Sequence, residues 1–322
     1  RSTVESTRMR LPMSDPPIAS VIVPVYNDPR GLATTLSALI TQNYPRDRHE
    51  ILVVDNGSTD GTRAVARRFS AANHHVKVLV EAELRGSYAA RNRGIRHANG
   101  SILAFIDADM TVPVDWLADA VETIRSADVD YMGCDVRLFT PDARESLVAR
   151  YNRLSGFPIA RYLDQRHFAP TCCLVVRRVV FEEVGLFDHR LASGGDREFG
   201  HRVYDSGRTL HFASDVCMHH PTRGTVGSLL EKAVRVGRGR LQLRRFHPDR
   251  YGHPAAALLN PMRLLPPLPW RLRARFDRWD DLTVGEKLVF FSLAFLASLA
   301  NTAGMIRETV VMGRAHFGPT SD

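Results

Sequence analysis

Residues 19–26 read ASVIVPVY, and the β-branched Val21, Ile22, Val23 and Val25 follow one another without polar alternation. Such a run predicts a strand covered on both faces, the environment of a parallel sheet with helices on either side. The downstream segments fit that sheet. GLATTLSALITQ (31–42) has helical spacing, EILVVDNGSTDGT (50–62) is an apolar run stopped by turn residues, and TRAVARRFSAA (62–72) is again helical. VKVLVE (76–81) reads as a third strand, SYAARNRGIRHA (87–98) as a helix stopped by Asn99-Gly100, and SILAFIDADM (101–110) as a fourth strand. PVDWLADAVETIRS (113–126) is helical, with Pro113 near its start. Four alternations of strand and helix predict a mostly parallel, doubly wound α/β sheet with right-handed crossovers.

Beyond residue 127 the alternation weakens. VDYMGCDVRLF (129–139) and TCCLVVRR (171–178) read as strands, DREFGHRVYDSG (196–207) as a short helix, and TLHFASDVCMHHP (209–221) as an edge strand and loop. From 226 the pattern is helical, broken by a Pro-rich piece at 261–276 and closed by a long apolar helix at 286–312. Residues 1–17 read as a polar leader without the apolar core of a secretory signal. Three units are therefore expected: this leader, a body at 18–221 and a helical region at 222–322.

With 322 residues, 44% hydrophobic and 24% charged, the chain can bury a sizeable core. Cys134, Cys172, Cys173 and Cys217 have neither metal-finger nor disulfide-framework spacing, which suits a reducing, cytoplasmic setting. The net charge of +8 is concentrated: residues 221–279 hold thirteen Lys or Arg against three Asp or Glu, a local +10. An anionic partner is implied, either a membrane surface or a phosphorylated acceptor, unless the charges only solvate a helix face. No basic-aromatic interleaving points to nucleic acid. The densest apolar run, 288–300, is short of the roughly 20 residues of a membrane span. Spanning, resting on the cytoplasmic face of a membrane, and pairing as a homodimer all stay open. The basic, Trp-containing stretch upstream favours the membrane interface.

Open α/β sheets bind ligands beyond the carboxyl ends of their strands. Polar residues gather at those ends: Tyr26-Asn27-Asp28, Asp55-Asn56-Gly57, Glu81 and Asp107-Ala108-Asp109. If the strand runs through them, Asp107 and Asp109 point the same way and can share a hard divalent cation, Mn2+ or Mg2+. Otherwise they only end a strand. Asp55 is either a turn carboxylate or an acceptor for a ribose or base. Arg85, Arg91 and Asn92 flank a helix N-terminus, where anions bind well. Asp196, behind Gly194-Gly195, is either a helix cap or a general base. His219 or His220 can complete a metal site.

Taken in order, SVIVPVYND, EILVVDNGSTDGT, RGSYAARNRGI, ILAFIDADMTVP, LVVRRVVFEEVGLFDHRLASGGDREFGHRV and the His pair resemble the family 2 glycosyltransferases of GT-A fold, over residues 18–221. The resemblance implies an inverting, metal-dependent transfer from a nucleotide-sugar, with uracil the usual base. Pro24, Val25, Tyr26 and Asn27 would face the nucleotide, Asp55 and Gly57 the base, and Arg85 and Arg91 the donor. Asp107, Ala108 and Asp109 would be the D-x-D segment, with Asp109 the firmer metal ligand. Asp196 would be the catalytic base, although Gly195 stands where the family carries Glu. His219 or His220 would be a further metal ligand.

Rival classes fit less well. A dinucleotide oxidoreductase needs G-x-G-x-x-G at the first strand–helix turn, where this chain has PVYNDPRG. A nucleotidyltransferase shares the paired acids but not the GGD loop and His pair. A catalytically inactive sugar-nucleotide-binding scaffold would not need Asp109 and Asp196 together.

Overall fold

A computed structural model describes residues 16–141, 144–276 and 278–316; most of the leader lies outside them. Seven strands, β1 (Ala19–Val25), β2 (His49–Asp55), β3 (Val76–Val80), β4 (Ile102–Phe105), β5 (Tyr131–Phe139), β6 (Leu174–Arg177) and β7 (Leu210–Pro221), form one sheet ordered β3-β2-β1-β4-β6-β5-β7. β1 pairs in parallel with both β2 and β4, and β2 with β3. β6 is antiparallel to both neighbours, and β7 runs parallel to β5 at the edge, past a bulge at Cys134/Asp135. The expected sheet class is therefore present. Every residue of β2 and of β4 is buried, as their unbroken apolar runs require.

Helices α1 (Pro29–Leu39), α2 (Thr62–Ala72), α3 (Ser87–His97) and α4 (Trp116–Ser126) are the crossovers. Next come α5 (Leu147–Ser155), α6 (Ile159–Arg166), α7 (Arg178–Val184) and α8 (Gly195–Asp205). The chain continues with α9 (Val226–Phe246), three short turns α10 (Pro248–Tyr251), α11 (Pro254–Leu258) and α12 (Pro269–Arg273), and the long α13 (Val284–His316).

Two expectations need correction. The fourth strand stops at Phe105, so Asp107 and Asp109 lie in the turn beyond it and do not share a strand face. Their proximity comes from the turn. The edge strand β7, in contrast, continues through His219 and His220. The two imidazoles therefore leave opposite faces of the sheet.

α9 and α13 cross at backbone distance. A β-carbon on Gly237 would collide with the Asn301 carbonyl, and one on Gly304 with that of Val234. A polar chain fixes this crossing to the body: the Ala192 amide donates to Gln242 Oε1 at 2.7 Å, and Gln242 Nε2 donates to Glu308 Oε1 at 2.7 Å. Arg238 Nε donates to the second Glu308 oxygen at 2.7 Å. Glu308 is 4% exposed and Gln242 5%, so its loss would strand the buried Gln242 amide. Glu308→Ala is expected to lower stability by about 1–3 kcal/mol. It should appear as a lower denaturant midpoint at unchanged slope.

Candidate active site

The ends of the parallel strands are tied together before any ligand arrives. Asn27, at φ 49°, donates its amide to Ser58 Oγ at 2.9 Å and accepts the Thr59 amide at 2.8 Å. Asn56 donates to the Glu81 and Leu84 carbonyls and accepts the Gly86 amide at 2.7 Å. Short polar side chains that bond the backbone are suited to such turns. Beside them opens a cavity of about 520 Å3. Its walls come from the end of β1 (Pro24, Val25, Tyr26), from α3 (Tyr88, Arg91), from Asp107, from Asp196 on α8 and from His220 on β7.

Arg91 is 3% exposed and donates through Nη2 to Asp107 Oδ1 at 2.5 Å. Its Nε has no partner, and its guanidinium lies 5.8 Å from the Tyr88 ring centre. The pKa of Asp109 is raised above the usual carboxylate range, first by burial and then by the negative charges of Asp107 and Asp28, against the opposing charge of His220. Excess negative charge of this kind is what a cation relieves. Among the described residues, however, no three His, Cys, Asp or Glu side chains converge as a metal cluster. The donor set suits a hard ion that takes one or two carboxylates and completes its shell with substrate phosphate.

Asp196 sits in the first turn of α8. Its Oδ1 accepts the Arg197 amide at 2.9 Å and the Tyr88 hydroxyl at 3.3 Å. Burial raises its pKa, and the Arg197 amide, Arg91 and Tyr88 oppose that only in part. The preceding glycines have separate reasons. Gly194 adopts φ 86°, which disfavours a side chain. At Gly195 a β-carbon would lie 2.8 Å from Tyr88 Cε2, so the tyrosine ring fills the space that a glutamate would need.

Other expected residues stand apart. Asp55 is fully buried: Arg63 donates to Oδ2 through Nε at 2.9 Å and Nη2 at 2.6 Å, and the Ser58 amide donates to Oδ1. Its carboxylate does not line the cavity. Glu81 caps the Glu83 and Leu84 amides. Arg85 lies over the exposed Tyr26 ring at 5.8 Å and is not among the residues that line the cavity. Gly57, at φ 78°, shapes the turn and touches no cavity wall. His220 lines the cavity, whereas His219 Nε2 lies 3.9 Å from Cys217 Sγ and its backbone pairs with Thr111.

Sequence reasoning missed Tyr88 and the cations Arg223, Lys232 and Arg235, which complete the cavity. Lys232, Arg235, Val236 and Leu243 recur at helical spacing, so the signal was a periodic one inside the basic segment.

A mostly parallel sheet with half-buried acids and cations at its carboxyl edge is the arrangement of the GT-A fold. Residues 20–185 match the profile of glycosyl transferase family 2. Glycosyltransferase AglE of Haloferax volcanii is 42% identical over 227 residues, covering 70% of this chain and 74% of AglE. The match spans 15–50% of the next three curated relatives, the glycosyltransferase GlyA of Streptococcus pneumoniae, the uncharacterized glycosyltransferase YibD of Escherichia coli and the probable glycosyltransferase YdaM of Bacillus subtilis. Among solved structures, the mannosyltransferase PcManGT of Pyrobaculum calidifontis, in complex with GDP-Man and Mn2+, superposes at a TM-score of 0.61 with 24% identity, over 90% of this chain and 88% of that one. TarS 1–349 of S. aureus in complex with UDP-GlcNAc superposes at 0.54 with 19% identity, over 92% of both chains. The chain belongs to glycosyl transferase family 2 and is a glycosyltransferase.

Packing at Gly195 gives a direct test. Gly195→Ala is expected to cost about 1–3 kcal/mol through overpacking against Tyr88. Adding Tyr88→Ala should recover part of that loss, with a coupling of about 0.5–3 kcal/mol in a denaturation double-mutant cycle.

Proposed function

We propose that this enzyme moves a sugar from a nucleoside diphosphate sugar, a UDP-sugar first among them, to a hydroxyl of a glycan, lipid-linked or cell-envelope acceptor, with inversion. The observation that carries the reading is that Asp196, raised by burial, lines the same cavity as Asp107, His220 and the end of β1. Asp107 and Asp109, with His220 beside them, would offer Mn2+ or Mg2+ one or two ligands at a time, and the ion when bound would take the rest of its shell from the donor diphosphate and neutralise it. Arg91 fixes Asp107, and Tyr26 and Asn27 bound the nucleotide end. In its ionised form Asp196 takes the proton of the acceptor hydroxyl while that oxygen bonds to the anomeric carbon. The bond to the nucleoside diphosphate breaks on the opposite face, so one displacement inverts the centre.

Burial makes Asp196 harder to ionise, so kcat/KM should climb with pH through a value above the ordinary carboxylate range and level off beyond it. Asp196→Asn should keep nucleotide binding and lose about 10²–10⁴ in transfer together with that acid limb. Asp109→Ala should abolish the Mn2+-dependent part of UDP, GDP or dTDP binding in calorimetry. Retained turnover in Asp196→Asn would overturn the base assignment.

We read residues 222–322 as a region that helps to wall the cavity of the catalytic unit at 18–221 and rests on the cytoplasmic face of a membrane. Supporting this, Val284–Val311 is long and apolar enough to cross a membrane, and its Leu288, Leu296, Ile306 and Val310 are exposed. Leu259, Met262, Leu264, Leu265 and Trp270 are exposed beside the basic segment. Full-length protein should float with vesicles containing anionic phospholipid, and less so at high salt. A protein that stays at the bottom of the gradient as a dimer would assign these apolar residues to self-association.

A further inference from the structure

A second cavity of about 780 Å3 adjoins the first, lying between α5, α6, α9, α12 and α13. The two share Phe157, Tyr162, Arg166, Lys232, Val236 and Arg240 as common walls. Their electrostatics differ. The catalytic cavity opposes its cations with Asp107 and Asp196, whereas the second is lined by seven cations and no carboxylate. Arg161, Lys232, Arg240, Arg263, Arg271 and Arg275 are among the seven.

Among the described residues these charges are largely uncompensated. Arg263 Nε is buried without a hydrogen-bond partner. Lys232 reaches only the face of Phe157, at 5.3 Å, and is pushed down to about 8 by burial and by the neighbouring Arg223 and Arg235. Arg240 bonds the neutral Asn301 Oδ1, and burial and the surrounding guanidinium groups push it down as well. Among the described residues no carboxylate pairs with Lys232, Arg240, Arg263 or Arg271. Like charges gathered around one recess repel one another, and an anion that enters relieves that repulsion. Opposite these cations, Leu272 and Ala294 give the cavity an apolar side. Arg263 and Arg271 also bracket the exposed Leu264, Leu265 and Trp270, so the anion site opens beside an apolar surface.

We propose that the second cavity holds the phosphate or diphosphate ester of the acceptor, so that this enzyme glycosylates a phosphate-linked acceptor whose hydroxyl passes the shared wall to reach Asp196. The inference rests on the proposed sugar transfer and adds the chemical class of the acceptor. A planar guanidinium recognises phosphate through paired N–H donors, and Arg263 and Arg271 bring such groups to the cavity wall next to the exposed apolar segment. Two sources share this chemistry, a lipid carrier and a soluble sugar phosphate. The exposed apolar segment favours the lipid.

The test uses full-length protein and titrates farnesyl phosphate, farnesol and glucose 1-phosphate in the presence of saturating UDP or GDP with Mn2+, so that the donor site is filled. Farnesyl phosphate should bind and farnesol should not. A farnesyl phosphate affinity at least tenfold above that of glucose 1-phosphate assigns the lipid source; equal affinities assign the soluble one. Arg263→Gln should weaken the phosphate ligand at least tenfold and leave nucleotide binding unchanged. The exposed pair Arg161→Gln/Arg271→Gln repeats the test without touching a buried side chain. Normal nucleotide binding with no binding of either phosphate ester, or with binding unaffected in both variants, overturns the inference and leaves the transfer reading standing. Absent nucleotide binding in the wild type instead overturns the transfer reading, and the ester titration is then scored without nucleotide.

Discussion

The site is organised around the buried guanidinium of Arg91. A charge at 3% exposure is tolerated only where a counter-charge and polarisable surroundings repay its desolvation. Asp107 supplies the first at 2.5 Å and the Tyr88 ring the second. Because Asp107 is itself about one-third exposed, the pair is worth less than a dry one, but its geometry is set from the buried side. Arg91 therefore aims Asp107 into the cavity, and its positive charge also reaches Asp196 across the same space. One residue of α3 thus relates the acid turn after β4 to the acid at the start of α8.

A second constraint comes from behind. The loop that leads to Asp196 is bonded at Ala192 to Gln242 of α9, and α9 is bonded through Glu308 to α13. Asp188, lower in the same segment, is brought down to about 2 despite its burial by Arg190 and by His247 at the end of α9. Arg190 in turn covers the Phe246 ring at 4.4 Å. The C-terminal helices are thus not an appendage hung on the sheet. They brace the loop that carries Asp196 and supply Lys232 and Arg235 to the wall of the same cavity.

Much of the fold was legible because it rests on local and periodic signals. The β-branched run at 19–26, the turn residues after 55 and Gly207, at φ 80°, report strands, strand ends and a helix stop directly. The motif order was enough to suggest the family, which residues 20–185 then matched. Less was legible where a long-range partner decides. Nothing local distinguishes a strand that ends at Phe105 from one that ends at Met110. Likewise, no local signal says that Asp55 is closed off by Arg63, eight residues on.

By itself, then, the sequence determined the alternating α/β sheet, the placing of polar residues at its carboxyl edge, and the concentration of positive charge after residue 221. Tertiary structure alone decided which of two adjacent histidines faces the cavity, since that depends on β7 continuing as a strand past its bulge. It also decided that position 195 has no room for a side chain, because Tyr88, 107 positions earlier, occupies the space. The same holds for the second cavity: its cations are scattered from Arg161 to Arg275 and become one electrostatic feature only when α9 and α13 cross. Charge density can be counted along a chain, but the absence of counter-charges around it is a property of three-dimensional packing.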